Sequence, residues 1–181
     1  MSKNQKAFTL IELLITITVL FIVLTIGLPN LTGQIASNRS SALSSEMLVA
    51  VNFARDEAIH RSARISICPS IDGASCASAT DWNKGWIVFL DTAASDSVTT
   101  YVVGTVLRYW NDLNKDAVVT VMAGSTAVDF VRFTSSGALG STVATGRTIN
   151  TYLAKCKGLN QSVTNIGIAG MIRSSKIACP L

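Results

Sequence analysis

From Phe8 to Leu28 the chain is apolar at almost every position, interrupted by a few hydroxyls and one charge, Glu12. At ~1.5 Å per residue a helix over such a run crosses a ~30 Å hydrocarbon core, which predicts a transmembrane helix over 8–29. After Pro29 the pattern becomes one-sided. Leu43, Met47, Ala50, Val51, Ala54 and Ala58 recur at steps of three and four, with Asn38, Arg39, Ser45, Glu46, Asn52, Arg55, Asp56 and Glu57 largely between them. That spacing predicts an amphipathic helix over 30–64 with one face against a folded domain. Gly27, Pro29 and Gly33 mark the junction. A missing donor and added backbone freedom there predict a kink or a loosened stretch.

Beyond Ser62 the helical period gives way to β-rich runs separated by Gly, Asn, Asp and Ser. The runs predict strands over 64–68, 86–90, 102–110, 118–122, 127–133, 148–154, 163–168 and 171–177. One long helix followed only by strands predicts an α+β fold, with a β-rich head over 65–181 packed on the amphipathic half-helix.

The chain has 181 residues, 49% hydrophobic and 14% charged, which suits one membrane segment and one modest domain. The charge is unevenly placed. From Phe130 onward there are six basic residues, Arg132, Arg147, Lys155, Lys157, Arg173 and Lys176, and no acidic one. Lys3 and Lys6 precede the apolar run, so the positive-inside rule keeps the N-terminus cytoplasmic and sends the remainder outward. The run is long and ends in Gly27-Leu28-Pro29-Asn30 without a small-x-small cleavage pattern, unlike an ordinary secretory signal. Within it Glu12 costs roughly 2.5–3.5 kcal/mol on insertion scales, so a neutralising partner is expected.

The four cysteines, downstream of a membrane-targeting segment, point to disulfides in an oxidising compartment. Three pairings are open. Cys68 with Cys76 and Cys156 with Cys179 is favoured, because each bridge closes a Gly/Ser/Asn-containing segment without crossing the other. Cysteine spacing and a single histidine do not fit a zinc site. Little else suggests chemistry: His60 reads as a solvated helix residue, and no phosphate loop or metal motif stands out. Asp112-Leu113-Asn114-Lys115-Asp116 begins like a calcium loop but lacks its glycine and its closing glutamate, and reads as a polar turn. Trp82, Trp86 and Trp110 read as packing residues. No cofactor and no catalysis are expected.

The stretch KAFTLIELL resembles the class III leader of type IV pilins and type II secretion pseudopilins. That resemblance implies a leader over 1–7, cleavage by prepilin peptidase between Ala7 and Phe8, N-methylation of Phe8, and Glu12 as the fifth mature residue. Ala7 stands where the family usually has glycine. The same resemblance implies that Glu12 pairs with the amine of a neighbouring subunit during docking. FARDEAIHRSARISICPSIDGASC and DWNKGWIVFLD together resemble the FimT, FimU and GspH group of minor pilins and pseudopilins. DNA-uptake members of that group share a Gly-Arg-x-Arg motif, matched here by Gly170-Met171-Ile172-Arg173, with Met171 at the first arginine position. Candidate contacts to double-stranded DNA are therefore Arg173 with Lys176, Arg147, Lys155 and Lys157. Strand alternation places Arg173 and Lys176 on opposite faces.

The implied function is that of a minor pilin acting in pilus assembly and initiation near the tip. Its implied partners are major and minor pilins, the prepilin peptidase and the inner membrane, with a periplasmic head before assembly and an extracellular position afterwards. A DNA-binding competence pilin for natural transformation and a type II secretion minor pseudopilin are the alternatives.

Overall fold

The computed structural model describes residues 8–111, 113–140, 145–158 and 160–180, with the side chains of 26–32 outside the description. The expected leader, 1–7, lies outside the described residues. The chain divides into two units, Met1–Ala36 and Ser37–Leu181.

The first helix, α1, spans Leu10–His60. Its helical assignment runs through Gly27, Pro29 and Gly33. Among the described residues no helix is long and apolar enough to cross a membrane. The apolar run is described with its side chains only as far as Thr25.

In the second unit all six residues of the predicted apolar face, Leu43, Met47, Ala50, Val51, Ala54 and Ala58, are buried. The helix ends at His60 rather than near Arg64, and the reason is local. Ser62 takes φ +49°. The Ala63 N–H then reaches back to the carbonyl of Ala58 at 3.2 Å, and the Ser62 N–H to that of Ile59 at 3.2 Å. These are the two bonds of a Schellman stop, with serine in the left-handed position that glycine usually occupies.

Nine strands follow among the described residues: β1 Ile65–Pro69, β2 Trp86–Asp91, β3 Val103–Trp110, β4 Ala117–Ala123, β5 Thr126–Ala127, β6 Val131–Phe133, β7 Arg147–Leu153, β8 Gln161–Ile166 and β9 Ile172–Ile177. They form two antiparallel sheets, ordered β3-β2-β1-β6 and β5-β4-β7-β8-β9. The single strand expected over 127–133 is two strands in different sheets. The Val128 N–H still bonds the carbonyl of Val121 beside β4, while Ile67 pairs with Val131 in the other sheet. The buried Trp82 indole donates to the Val128 carbonyl at 3.0 Å and fixes the point of departure.

The main core packs the α1 face between the sheets, with Ile65, Ile67, Trp82, Trp86, Val119 and Phe133 among its members. A second cluster of Cys68, Ile87 and Phe89, covered by Tyr101, Tyr109 and Phe130, lies on the other side of the first sheet. Burial on both faces explains why β1 and β2 read as nearly continuous apolar runs instead of alternating.

Candidate functional site

At the start of α1 the Glu12 N–H donates to the Thr9 hydroxyl at 3.3 Å. Thr9 and Glu12 thus stand at the cap and third positions of a T-x-x-E box, a signal legible in the sequence beside the pilin-type motif. A carboxylate in the first turn also faces the positive end of the helix dipole. The hydroxyls of Thr16, Thr18 and Thr25 each donate at 2.8 Å to a carbonyl three residues back. Their polarity is turned into the helix, and Phe8, Leu10, Ile11, Leu13, Phe21 and Leu24 remain exposed around it. Glu12 is the sole charged residue from Phe8 to Ala36.

In the second unit Cys68 is bonded to Cys76 and Cys156 to Cys179, with Cα separations of 5.6 and 5.7 Å. The first bridge closes the loop around Asp72. There the Ser75 hydroxyl, the Ser75 and Ala74 N–H groups and the Ser70 hydroxyl outweigh desolvation and hold the carboxyl well below its usual range. The second ties the β7–β8 loop to the chain after β9, where the Cys179 N–H donates to the Gly158 carbonyl at 2.9 Å. With all four cysteines bridged, none offers a thiol nucleophile.

The five basic residues proposed for DNA do not converge. Strand register puts Leu153, Gln161 and Ile177 at one end of the second sheet, and Arg147, Ile166 and Ile172 at the other. Lys155, Lys157 and Lys176 therefore sit at the first end. Lys176 Nζ donates to the Ser41 hydroxyl of α1 at 2.9 Å. Arg147 and Arg173 sit at the second end on opposite faces, because Arg147 is opposite the buried Ile166 while Arg173 is opposite the exposed Asn165. Arg147 donates to the Thr145 carbonyl at 3.0 Å, and burial pulls its pKa down.

Gly170 also has a local role. A Cβ there would lie 1.8 Å from the Gly137 carbonyl oxygen, and its φ is +77°. Its glycine is required by close backbone approach. In the calcium-like segment Asp112 lies outside the described residues, and Asn114 Oδ1 accepts the Asp116 N–H at 2.9 Å, as in a polar turn. Trp82 and Trp86 are core residues. Trp110 makes an edge contact with Phe53 and lies 4.5 Å beneath the Arg108 guanidinium.

One cluster had no sequence expectation. Asp91 and Arg132 are wholly buried and paired at 2.8 Å. The remaining Arg132 nitrogens donate to the carbonyls of Val98 at 2.8 Å and Thr100 at 2.6 Å, so one guanidinium gathers the β2–β3 loop. Burial pushes the Asp91 carboxyl up, but bonds from Ser66, the Val102 and Ala93 N–H groups and Arg132 hold it below the usual value. The available signal was a charge flanked by apolar residues inside a strand, Val131-Arg132-Phe133.

Comparison with protein-family profiles matches residues 43–165 to the family described as Type II transport protein GspH, and residues 2–28 to the prokaryotic N-terminal methylation motif. The chain belongs to the GspH family. It is a minor pilin or pseudopilin, of the type IV pilus or type II secretion class, and that family is structural rather than enzymatic. Membership implies a membrane-anchored component that assembles with other pilins or pseudopilins.

Two crystal structures of the type IV minor pilin FimU from Pseudomonas aeruginosa PAO1 share the fold. One is 21% identical with TM-score 0.54, covering 75% of this chain and 91% of that one. The other is 20% identical with TM-score 0.53, covering 78% and 89%. The minor pseudopilin EpsH of the Vibrio cholerae type 2 secretion system is a weaker match, 13% identical with TM-score 0.49 over 77% of this chain and 97% of that one. No curated protein matches the chain.

Proposed function

We propose that this chain is a minor pilin built into a type IV pilus, where it acts in assembly and initiation near the tip. The leader 1–7 is removed between Ala7 and Phe8, Phe8 is N-methylated, and residues 8–29 hold the chain in the inner membrane with the head outside. Glu12 then pairs with the amine of a neighbouring subunit as the helix enters the filament. The observation that carries this reading is Glu12, the one charge between Phe8 and Ala36, on a helical stretch whose described apolar side chains from Phe8 to Leu24 are exposed. Such a surface needs lipid or other helices against it, and an unpaired carboxylate there is strongly disfavoured.

The test is Glu12→Ala, with membrane insertion and filament incorporation measured in the same cells. Insertion should be unchanged, while incorporation falls roughly tenfold or more, as expected for a lost low-dielectric pair. Wild-type incorporation of Glu12→Ala would overturn the docking role.

A type II secretion pseudopilin is the second reading, supported by the GspH profile over 43–165. Deleting the gene separates the two: lost pili support the pilus, lost protein secretion the pseudopilus. The competence reading draws less support from the geometry, because its basic residues divide between two ends of a sheet. A DNA affinity that falls steeply with salt and drops in Arg173→Ala would restore it.

A further inference from the structure

We propose that the end of the second sheet carrying Lys155, Lys157 and Lys176 is a docking surface for anionic phospholipid headgroups. This inference rests on the membrane-anchored reading above. The three lysines come from two separate parts of the chain, the segment after β7 and the end of β9, brought to one end of the sheet by strand register and local contacts. Asn160 accepts a hydrogen bond from Ser37 through Oδ1 at 2.9 Å and from Ser40 through its carbonyl. The Asn160 side-chain amide donates to the Lys157 carbonyl at 2.5 Å. Lys176 reaches Ser41. Asn160, Lys157 and the end of β9 are thus fixed against the first turns of the second unit's helix.

None of the three lysines forms an ion pair among the described residues. Segment 130–181 has no carboxylate side chain. Asp116, whose carbonyl accepts the Ala154 N–H at 2.7 Å, forms no ion pair with these lysines, and Lys115 beside it adds another positive charge.

The type of charge and its place on the chain both favour lipid. Lysines are flexible point charges without the fork that holds one phosphate bidentately, so they suit a fluid anionic surface better than a shaped anion pocket. The second unit begins at Ser37, close in sequence to the apolar run ending at Leu28. Arg147 and Arg173 occupy the opposite end and are left out of the surface. The surface would hold the head down on the bilayer before assembly, each engaged cation adding roughly a fivefold factor.

The test uses the full chain reconstituted into phosphatidylcholine vesicles, with and without about a quarter phosphatidylglycerol, at about 0.1 M and about 1 M salt. Flotation reports anchoring, and amine acetylation followed by mass spectrometry reports the exposure of each lysine. Lys155, Lys157 and Lys176 should react at least about threefold more slowly on the anionic vesicles at low salt, and equally on both at high salt. A chain that floats with both vesicles but labels alike on them would overturn the inference and leave the anchoring reading intact. A chain that floats with neither would remove the anchoring reading and the inference together. Duplex DNA added to the neutral sample is the third arm. If it protects these lysines while anionic lipid does not, the surface belongs to nucleic acid instead.

Discussion

Replacing Asp91 with alanine tests the least replaceable contact in the head. The Asp91 carboxylate takes four hydrogen bonds, from the Ser66 hydroxyl at 2.7 Å, Arg132 Nε at 2.8 Å and the Ala93 and Val102 N–H groups at 3.0 Å. The substitution leaves a buried guanidinium with only carbonyls for partners. Removing one member of a buried pair costs ~3–5 kcal/mol, against ~5–15 kcal/mol for a whole domain. Urea unfolding of the detergent-solubilised chain, followed by tryptophan fluorescence, should therefore show a midpoint lowered by about a fifth or more. The pair variant Asp91→Leu/Arg132→Met should recover part of the loss, since it strands no charge. Acid provides an independent readout. The folded Asp91 carboxyl lies below its unfolded value of ~3.9, so its contribution is complete above that value and is lost as pH falls through the lowered folded one. Asp91→Asn should flatten the stability profile in that acid window. A loss under ~1 kcal/mol for Asp91→Ala would refute the view that this pair anchors the loop.

Three further outcomes follow from local geometry. Ser62→Gly should raise stability by up to ~1 kcal/mol in the same urea assay, by relieving a left-handed serine at the helix stop. Gly170→Ala should lower it by ~2 kcal/mol or more, because the added Cβ meets the Gly137 carbonyl in a backbone conformation alanine disfavours. By chain-entropy arguments, opening Cys156–Cys179, separated by 23 positions, should cost ~3.4 kcal/mol, and opening Cys68–Cys76, separated by 8, ~2.5 kcal/mol. Single Cys→Ser variants unfolded in urea check the order.

Sequence periodicity carried the architecture where burial is one-sided. The α1 face from Leu43 to Ala58 follows directly from steps of three and four, because only one side of that helix meets the core. Strand positions followed from β-rich runs, with edges displaced by a residue or two. The split of 127–133 was missed because Val128, Phe130 and Val131 keep the strand-favouring types around the change of sheet, and the one sign of a break was the single Asp129. The Asp91–Arg132 pair was not legible, because its partners lie 41 positions apart and meet only once β1, β2 and β6 are aligned. For the candidate site, Glu12 and the cysteines stood out because a charge in an apolar run and an even cysteine count are local features. The placement of the basic residues was not legible for the opposite reason: composition counts charge, and strand register decides at which end of a sheet it appears.

The contact gathered by Arg132 also sets an order on folding. Residues 92–102 leave β2 long before Arg132 emerges, and β6 is separated from its partner β1 by β2 to β5. Until that late strand arrives, the carbonyls of Val98 and Thr100 have no guanidinium to meet and the first sheet lacks its final strand. Such long-range closure slows folding relative to local pairing. A head made from its N-terminal end onward would therefore expose an unfinished sheet edge from the completion of β1 until Phe133 is reached, which is the interval in which a chaperone or a protease would find it.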